Sequence, residues 1–228
     1  MGNSGNAGVI VDKDADLQAA LKKIIIGAYG NAGQSCISVQ RVFVHEAVYN
    51  GFVDQLVKMT KSVATGDPTN ERTLVGPMID EKAASKIEGW IFEALAQGAV
   101  LLCGGHRNGA ILEPTVIGSS KRDMKICNQE VFAPLVVVTP FKEFKDALTM
   151  VNDSDFGLQA GVFTNNLEHI LLAYKELDVG GVIINDSSNY RMDNMPYGGV
   201  KDSGFGREGV RYAIEEMTEL KLLALNMM

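Results

Sequence analysis

The chain has 228 residues, 46% hydrophobic and 21% charged, with a net charge of −7. That length gives one large domain or two small ones with room for a sizeable core, and the acidic balance, with no Lys/Arg run, excludes a nucleic-acid partner. No apolar run reaches the length of a membrane span, the start Met1-Gly2-Asn3-Ser4-Gly5-Asn6 lacks the segments of a signal peptide, and three cysteines without framework spacing read as reduced, so the expected location is the cytoplasm.

Residues 1–5 read as a leftover linker or a truncated start. Val9-Ile10-Val11 predicts a strand, and Asp14-Ala15-Asp16 opens a helix with acids in its first turn. The amphipathic stretch Leu17 to Ala28 runs into Asn31-Ala32-Gly33-Gln34-Ser35-Cys36, and Arg41 to Val44 is the next strand. One helix is expected from about Glu46 to Val63, stopped by Gly66-Asp67-Pro68. A second runs from about Glu81 to Gln97 before Gly98. Val100 to Cys103 and Leu135 to Val138 read as strands, the latter β-branched and suited to a sheet buried on both faces. Then come a helix Phe144–Asn152, a strand Gln159–Phe163, a helix Leu167–Leu177 and a strand Gly181–Asn185. A closing helix from about Gly209 to Met217 leads to a last strand, Lys221–Leu225. The alternation predicts an α/β domain with a mainly parallel sheet. Residues 186–206 are too long and irregular for a simple connection and are expected to line a site.

Cys36 is the leading candidate for chemistry. A lone cysteine is more often a small buried apolar residue, but a polar, glycine-bearing turn is poor core material. Such a turn directs backbone N–H groups at a sulfur, which favours the thiolate and can later hold an oxyanion. A cysteine hydrolase would also need a histidine base. His45, His106 and His169 all lie in contexts that read as solvated helix or loop. Cys103-Gly104-Gly105-His106 supplies half of a zinc ligand set at most, so no metal is expected. Gly204-Phe205-Gly206-Arg207-Glu208-Gly209 matches G-x-G-x-x-G but lacks the strand immediately before it and the acid after it, so its glycines are read as turn formers. Glu130 is either a solvent-facing charge at a strand edge or, with Phe132 two residues on, a carboxylate for a hydroxylated ring system. Arg191 is either a solvated loop arginine or a fork of donors for an anionic substrate group.

Taken together, several segments resemble the aldehyde dehydrogenase superfamily. They are Val9 to Asp16, Asn31 to Cys36, Gln129-Glu130-Val131-Phe132-Ala133-Pro134, Gly181 to Asn185 and Met195-Pro196-Tyr197-Gly198-Gly199-Val200-Lys201-Asp202-Ser203-Gly204. The run Ile184 to Ser188, with Arg191 and Asn194-Met195-Pro196, is most similar to lactaldehyde and non-phosphorylating glyceraldehyde-3-phosphate dehydrogenases.

The resemblance implies that residues 6–228 form the three-layer αβα catalytic domain, ending in an inter-subunit strand. It implies that Cys36 attacks a small aldehyde, that hydride passes to NAD or NADP, and that water hydrolyses the thioester. Glu130 would hold the nicotinamide ribose and Phe132 would pack near the nicotinamide. Asn185 and Phe205 would support or line the substrate pocket. Ala133 replaces the family's usual glycine. The family's Glu-Leu-Gly-Gly, whose glutamate activates the deacylating water, falls at Gly2-Asn3-Ser4-Gly5, so that base is absent. No Rossmann half is present, nor the asparagine that completes the oxyanion hole. The expectation is a catalytic half that is inactive alone and binds the cofactor poorly. Two alternatives stand beside it, a non-catalytic self-associating domain and a stalled thiol esterase.

Overall fold

Apolar β-branched strands covered by helices on both faces set the architecture of the computed structural model, which describes residues 4–226. The chain begins with β1 (Ala7–Val11), α1 (Leu17–Tyr29), β2 (Val39–His45), α2 (Glu46–Lys61) and α3 (Glu81–Ala96). It continues through β3 (Val100–Cys103), β4 (Arg107–Asn108), β5 (Ile111–Leu112), β6 (Thr115–Gly118), α4 (Lys125–Asn128) and β7 (Leu135–Phe141). Then come α5 (Phe144–Asn152), β8 (Phe156–Gly157), β9 (Gln159–Phe163), α6 (Leu167–Glu176), β10 (Gly181–Ile184), β11 (Val200–Lys201) and α7 (Val210–Glu216).

Among the described residues, seven strands form one sheet in the order β10-β9-β1-β2-β7-β6-β3. Every pairing is parallel except β3 with β6 at one edge. Side chains alternate between the faces of a strand. Val9, Val11, Val42 and Val44 therefore pack against α1, α2 and α3, while Ile10 and Phe43 pack against α5 and α6. This is the three-layer α/β arrangement with a mainly parallel sheet that the pattern predicts.

Three expectations change. Asp16 lies just ahead of α1 rather than inside its first turn, and its side chain accepts from Gln18 N and Ala19 N as a cap. β4, β5, β6, β8, β11 and the one-turn α4 are additional, and the two-residue strands among them are too short to carry any period. Ser4 and Gly5 pack into the fold: Ser203 Oγ donates to Ser4 O at 2.6 Å, and Gly5 packs under Cys36. Gly2 and Asn3 lie outside the described residues. Finally, Lys221–Leu225 is not a strand. No neighbouring strand among the described residues offers it a ladder, and a lone strand would leave its backbone groups to solvent.

Arg41 links the layers. Its guanidinium, buried within the sheet face, donates to Asn6 O, to Met150 O at 2.8 Å and to Val151 O at 3.0 Å. The latter two carbonyls belong to the last turn of α5, where helix carbonyls lack partners and a cation is favoured. Burial, then the charge of Arg122, lowers the Arg41 pKa to about 10.

Candidate active site

The turn that presents Cys36 is held in an unusual backbone. After α1, Asn31, Ala32 and Gly33 take φ values of 53°, 53° and 68°. Such a left-handed run is costly for side-chain-bearing residues and persists only where packing enforces it. A Cβ at Gly33 would lie 2.1 Å from Ala133 O, and one at Gly5 would lie 1.8 Å from Cys36 O. Glycine is therefore required at both places, and together they pin the Cys36 loop between the chain start and the Ala133 segment. Ser38 N–H is spent on Ser35 O at 3.0 Å, whereas Cys36 N–H has no partner among the described residues.

Cys36 is half-buried on an open cleft of about 910 Å³, with Gln34, Ser35, Glu130, Phe132 and Asn189 on its walls. Its Sγ lies 2.6 Å from Tyr197 Oη. Tyr197 is 4% exposed, and the Arg191 guanidinium stacks 4.5 Å from its ring centroid. Burial, followed by the bond to Cys36, pushes the Tyr197 phenol well above its ordinary pKa, so the phenol stays neutral. Cys103 and Cys127 are buried, and burial raises both thiols.

Glu130 reaches the same cleft from the loop after α4. Gln40 Nε2 donates to Gln129 O at 2.8 Å, its Oε1 accepts from Val131 N, and Asn6 Nδ2 donates to Gln129 O. The two flanking residues are thus clamped from β2 and from the residue ahead of β1. Gly5 N–H donates to Glu130 Oε1 at 2.8 Å. Burial raises the Glu130 carboxyl above the usual range, and the Gly5 N–H opposes that only in part. Phe132, at φ 52°, projects exposed at the cleft wall.

Cys36, Glu130 and Phe132 are thus brought together, and Arg191 joins them through Tyr197. Asn185 and Phe205 are not. Asn185 Oδ1 accepts from Thr164 N at 3.1 Å at the far end of β10, and Phe205 is 93% exposed with no place on the cleft. Asn189, four residues on, is the loop asparagine that reaches the cleft, 3.5 Å from Ser35 Oγ. Tyr197 and Gly5 were not singled out in the sequence, although an aromatic in Pro196-Tyr197-Gly198-Gly199 inside the long loop was a usable signal. The histidines lie off the cleft. His45 caps α2, accepting from Ala47 N, and His106 is exposed. His169 is not solvated as expected, since its Nδ1 lies 2.5 Å from the buried Asp12 Oδ2 and its ring stacks on Phe144. Gly204, Gly206 and Gly209 all have positive φ, consistent with turn-forming glycines ahead of α7.

The model of the aldehyde dehydrogenase family matches residues 1–223. The chain belongs to the aldehyde dehydrogenase family. It is 49% identical over 222 residues to a 3-sulfolactaldehyde dehydrogenase of Priestia aryabhattai, an alignment covering 97% of this chain and 46% of that protein. It is 39% identical to a lactaldehyde dehydrogenase of Methanococcus maripaludis, over 97% of this chain and 48% of the relative. Among solved structures, the glyceraldehyde-3-phosphate dehydrogenase GapN of Methanocaldococcus jannaschii, complexed with NADP, superposes with a TM-score of 0.92 at 41% identity, covering 96% of this chain and 47% of that one. Aldehyde dehydrogenase 21 of Physcomitrella patens, bound to the reaction product succinate, gives 0.93 at 43% identity, over 95% and 45%. The chain spans just under half the length of these aldehyde dehydrogenases. Among the described residues, no helix is long and apolar enough to cross a membrane.

Proposed function

We propose that this chain is the thiol-bearing half of an NAD(P)-dependent aldehyde dehydrogenase acting on a small aldehyde with an anionic group. The observation that carries the reading is a half-exposed Cys36 whose sulfur is gripped by Tyr197 on the same cleft as Glu130 and Phe132. Cys36 Sγ adds to the aldehyde carbon, and the resulting oxyanion takes the Cys36 N–H, which has no partner among the described residues. Arg191 supplies a forked cation beside the site for a carboxylate, sulfonate or phosphate. The relatives named for sulfolactaldehyde and glyceraldehyde-3-phosphate, and the structure holding succinate, support that substrate class.

The residues present fit a dinucleotide. Glu130 Oε2 makes no hydrogen bond among the described residues, and the carboxyl is held above its usual range by burial. A pair of ribose hydroxyls would supply the missing donors, with the exposed Phe132 ring beside them. When bound, the oxidised nicotinamide supplies the hydride acceptor. Relatives with NADP and with NAD dependence both occur among the similar structures.

Release of the acyl group needs a base. The family glutamate falls at Gly2, which cannot take a proton. An acyl group placed on Cys36, by an ester or by an aldehyde after hydride loss to a bound nicotinamide, therefore has no such base to release it, and turnover draws on the half of the relatives that the chain does not match. A cytoplasmic location accords with the three free cysteines. An activated ester such as p-nitrophenyl acetate should give a burst of about one equivalent per chain followed by slow release, and Cys36→Ser should abolish it. Equal behaviour of the two proteins would remove Cys36 from its role. Steady reduction of NAD or NADP with anionic aldehydes would remove the claim of stalling. A second reading, self-association through the C-terminal segment, is favoured by the exposed Leu220, Leu222, Leu223 and Leu225.

A further inference from the structure

Most aromatic side chains near a nucleophile offer only a wall, but Tyr197 presents a hydroxyl 2.6 Å from the Cys36 sulfur, from a position 161 residues away in sequence. Its own backbone is fixed: Tyr197 N donates to Glu208 O at 3.0 Å in an antiparallel bridge. Its ring is buried against Ile37 and Leu158, with Cys36 alongside. The exposed face of this arrangement carries the Arg191 guanidinium, 4.5 Å from the ring centroid.

We infer that Tyr197 is a positioning residue for Cys36, whose hydroxyl donates to the sulfur and holds it as the thiolate, and that Arg191 acts on the sulfur through the Tyr197 ring. The thiol proton leaves to bulk water, while the phenol keeps its own proton and donates a hydrogen bond. No bond to carbon is made or broken in this step. A hydrogen bond to an ionised acceptor is markedly stronger than one to its neutral form, so the contact favours the thiolate. A cation over an aromatic face draws on the ring electrons and makes its O–H a better donor. The charge of Arg191 opposes the rise that burial and the Cys36 bond impose on the Tyr197 phenol. The other charged groups facing the pair are Glu208, which bridges to Tyr197 and acts in the opposite sense to Arg191, and Glu130 across the cleft. An anionic substrate group that engages Arg191 would therefore weaken the donor and release the sulfur for attack as the substrate arrives.

This inference deepens the reading of Cys36 as the nucleophile and rests on it, yet its test needs neither cofactor nor turnover. The rate of Cys36 alkylation by iodoacetamide, read at the peptide level by mass spectrometry, is followed against pH in the full chain. Tyr197→Phe keeps the ring and removes the donor, and should raise the midpoint by about one pH unit, or roughly tenfold in rate below it. Arg191→Ala should raise it by a few tenths of a unit, roughly the reach of an exposed cation–π contact, and high salt should shrink that shift. Arg191→Lys should recover most of it. A Tyr197→Phe midpoint that is unchanged or lower overturns the inference while leaving the ester burst, and hence the role of Cys36, intact. If Tyr197→Phe does not fold, biosynthetic 3-fluorotyrosine replaces it: a more acidic phenol should lower the midpoint, and an unmoved or raised midpoint counts against the inference.

Discussion

Every residue of β1 and six of the seven in β2 are buried, whereas α7 buries none and residues 218–226 expose their leucines. The site draws on the first region and on the long segment that precedes the second. Cys36 sits at the entrance to β2 and inherits its position from the sheet, the Gly5 and Gly33 contacts and the clamp on the Glu130 loop. Tyr197 and Arg191 arrive from the long irregular segment that leads to α7. The thiol is thus placed by the sheet, and its partners come from a segment of mixed packing, in which Tyr197 is buried and Arg191 exposed. The exposed member, Arg191, is the one that must meet substrate, and the surface is where low local stability is tolerated.

The largest expected effect tests the rigid side of that contrast. Arg41→Met keeps the length of the side chain and removes its donors. It strands the buried carbonyls of Asn6 and Val151 and the partly buried one of Met150. Each buried unsatisfied group costs about 1–3 kcal/mol, so the variant should lose at least about 2 kcal/mol in urea or thermal unfolding. A loss below about 1 kcal/mol would show that water or a shifted α5 satisfies those carbonyls, and the sheet would not be the anchor described here.

This division also explains what the sequence revealed. α5 and β9 are found at their predicted limits, Phe144–Asn152 and Gln159–Phe163, because each carries a clean period between strong breakers. The Cys36 turn was legible because it is local. Tyr197 on Cys36 and His169 on Asp12 were not, since they join residues 161 and 157 positions apart. Spacing along the chain carries no information about such contacts until the sheet order is known. Lys221–Leu225, expected as an inter-subunit strand, is unpaired in the single chain. Its composition suits a strand, but a strand is a property of two neighbours, and the described residues supply only one.

The exposed side of the contrast predicts a smaller effect on stability and a different readout. Replacing Leu222 and Leu223 together by Ser should change unfolding by no more than about 0.5 kcal/mol, the range of surface substitutions. It should nonetheless reduce self-association in static light scattering and lower the binding of a hydrophobic dye. A wild-type chain that is already strictly monomeric would sink the self-associating reading. A marked loss of stability on substitution would show that these leucines pack somewhere within the chain.

The smallest effect belongs to Glu130, which stands between the two regions. Burial raises its carboxyl above the ordinary range, so the folded chain binds that proton more tightly than the unfolded chain does. The contribution to stability is therefore greatest at low pH. It declines as pH rises from the ordinary carboxylate value through the raised folded one, and is flat above that. Because the group is half-exposed, solvent screens the penalty and the slope should be shallow. Glu130→Gln removes the titration. Its melting temperature should lose that decline with pH, and at neutral pH the variant should be at least as stable as the parent. Leu222→Ser, in the exposed segment, is the control and should leave the parent's profile in place. If Glu130→Gln also retains the parent's slope, the carboxyl is better solvated than its place on the clamp implies, and its free oxygen has less to gain from the hydroxyls proposed for it.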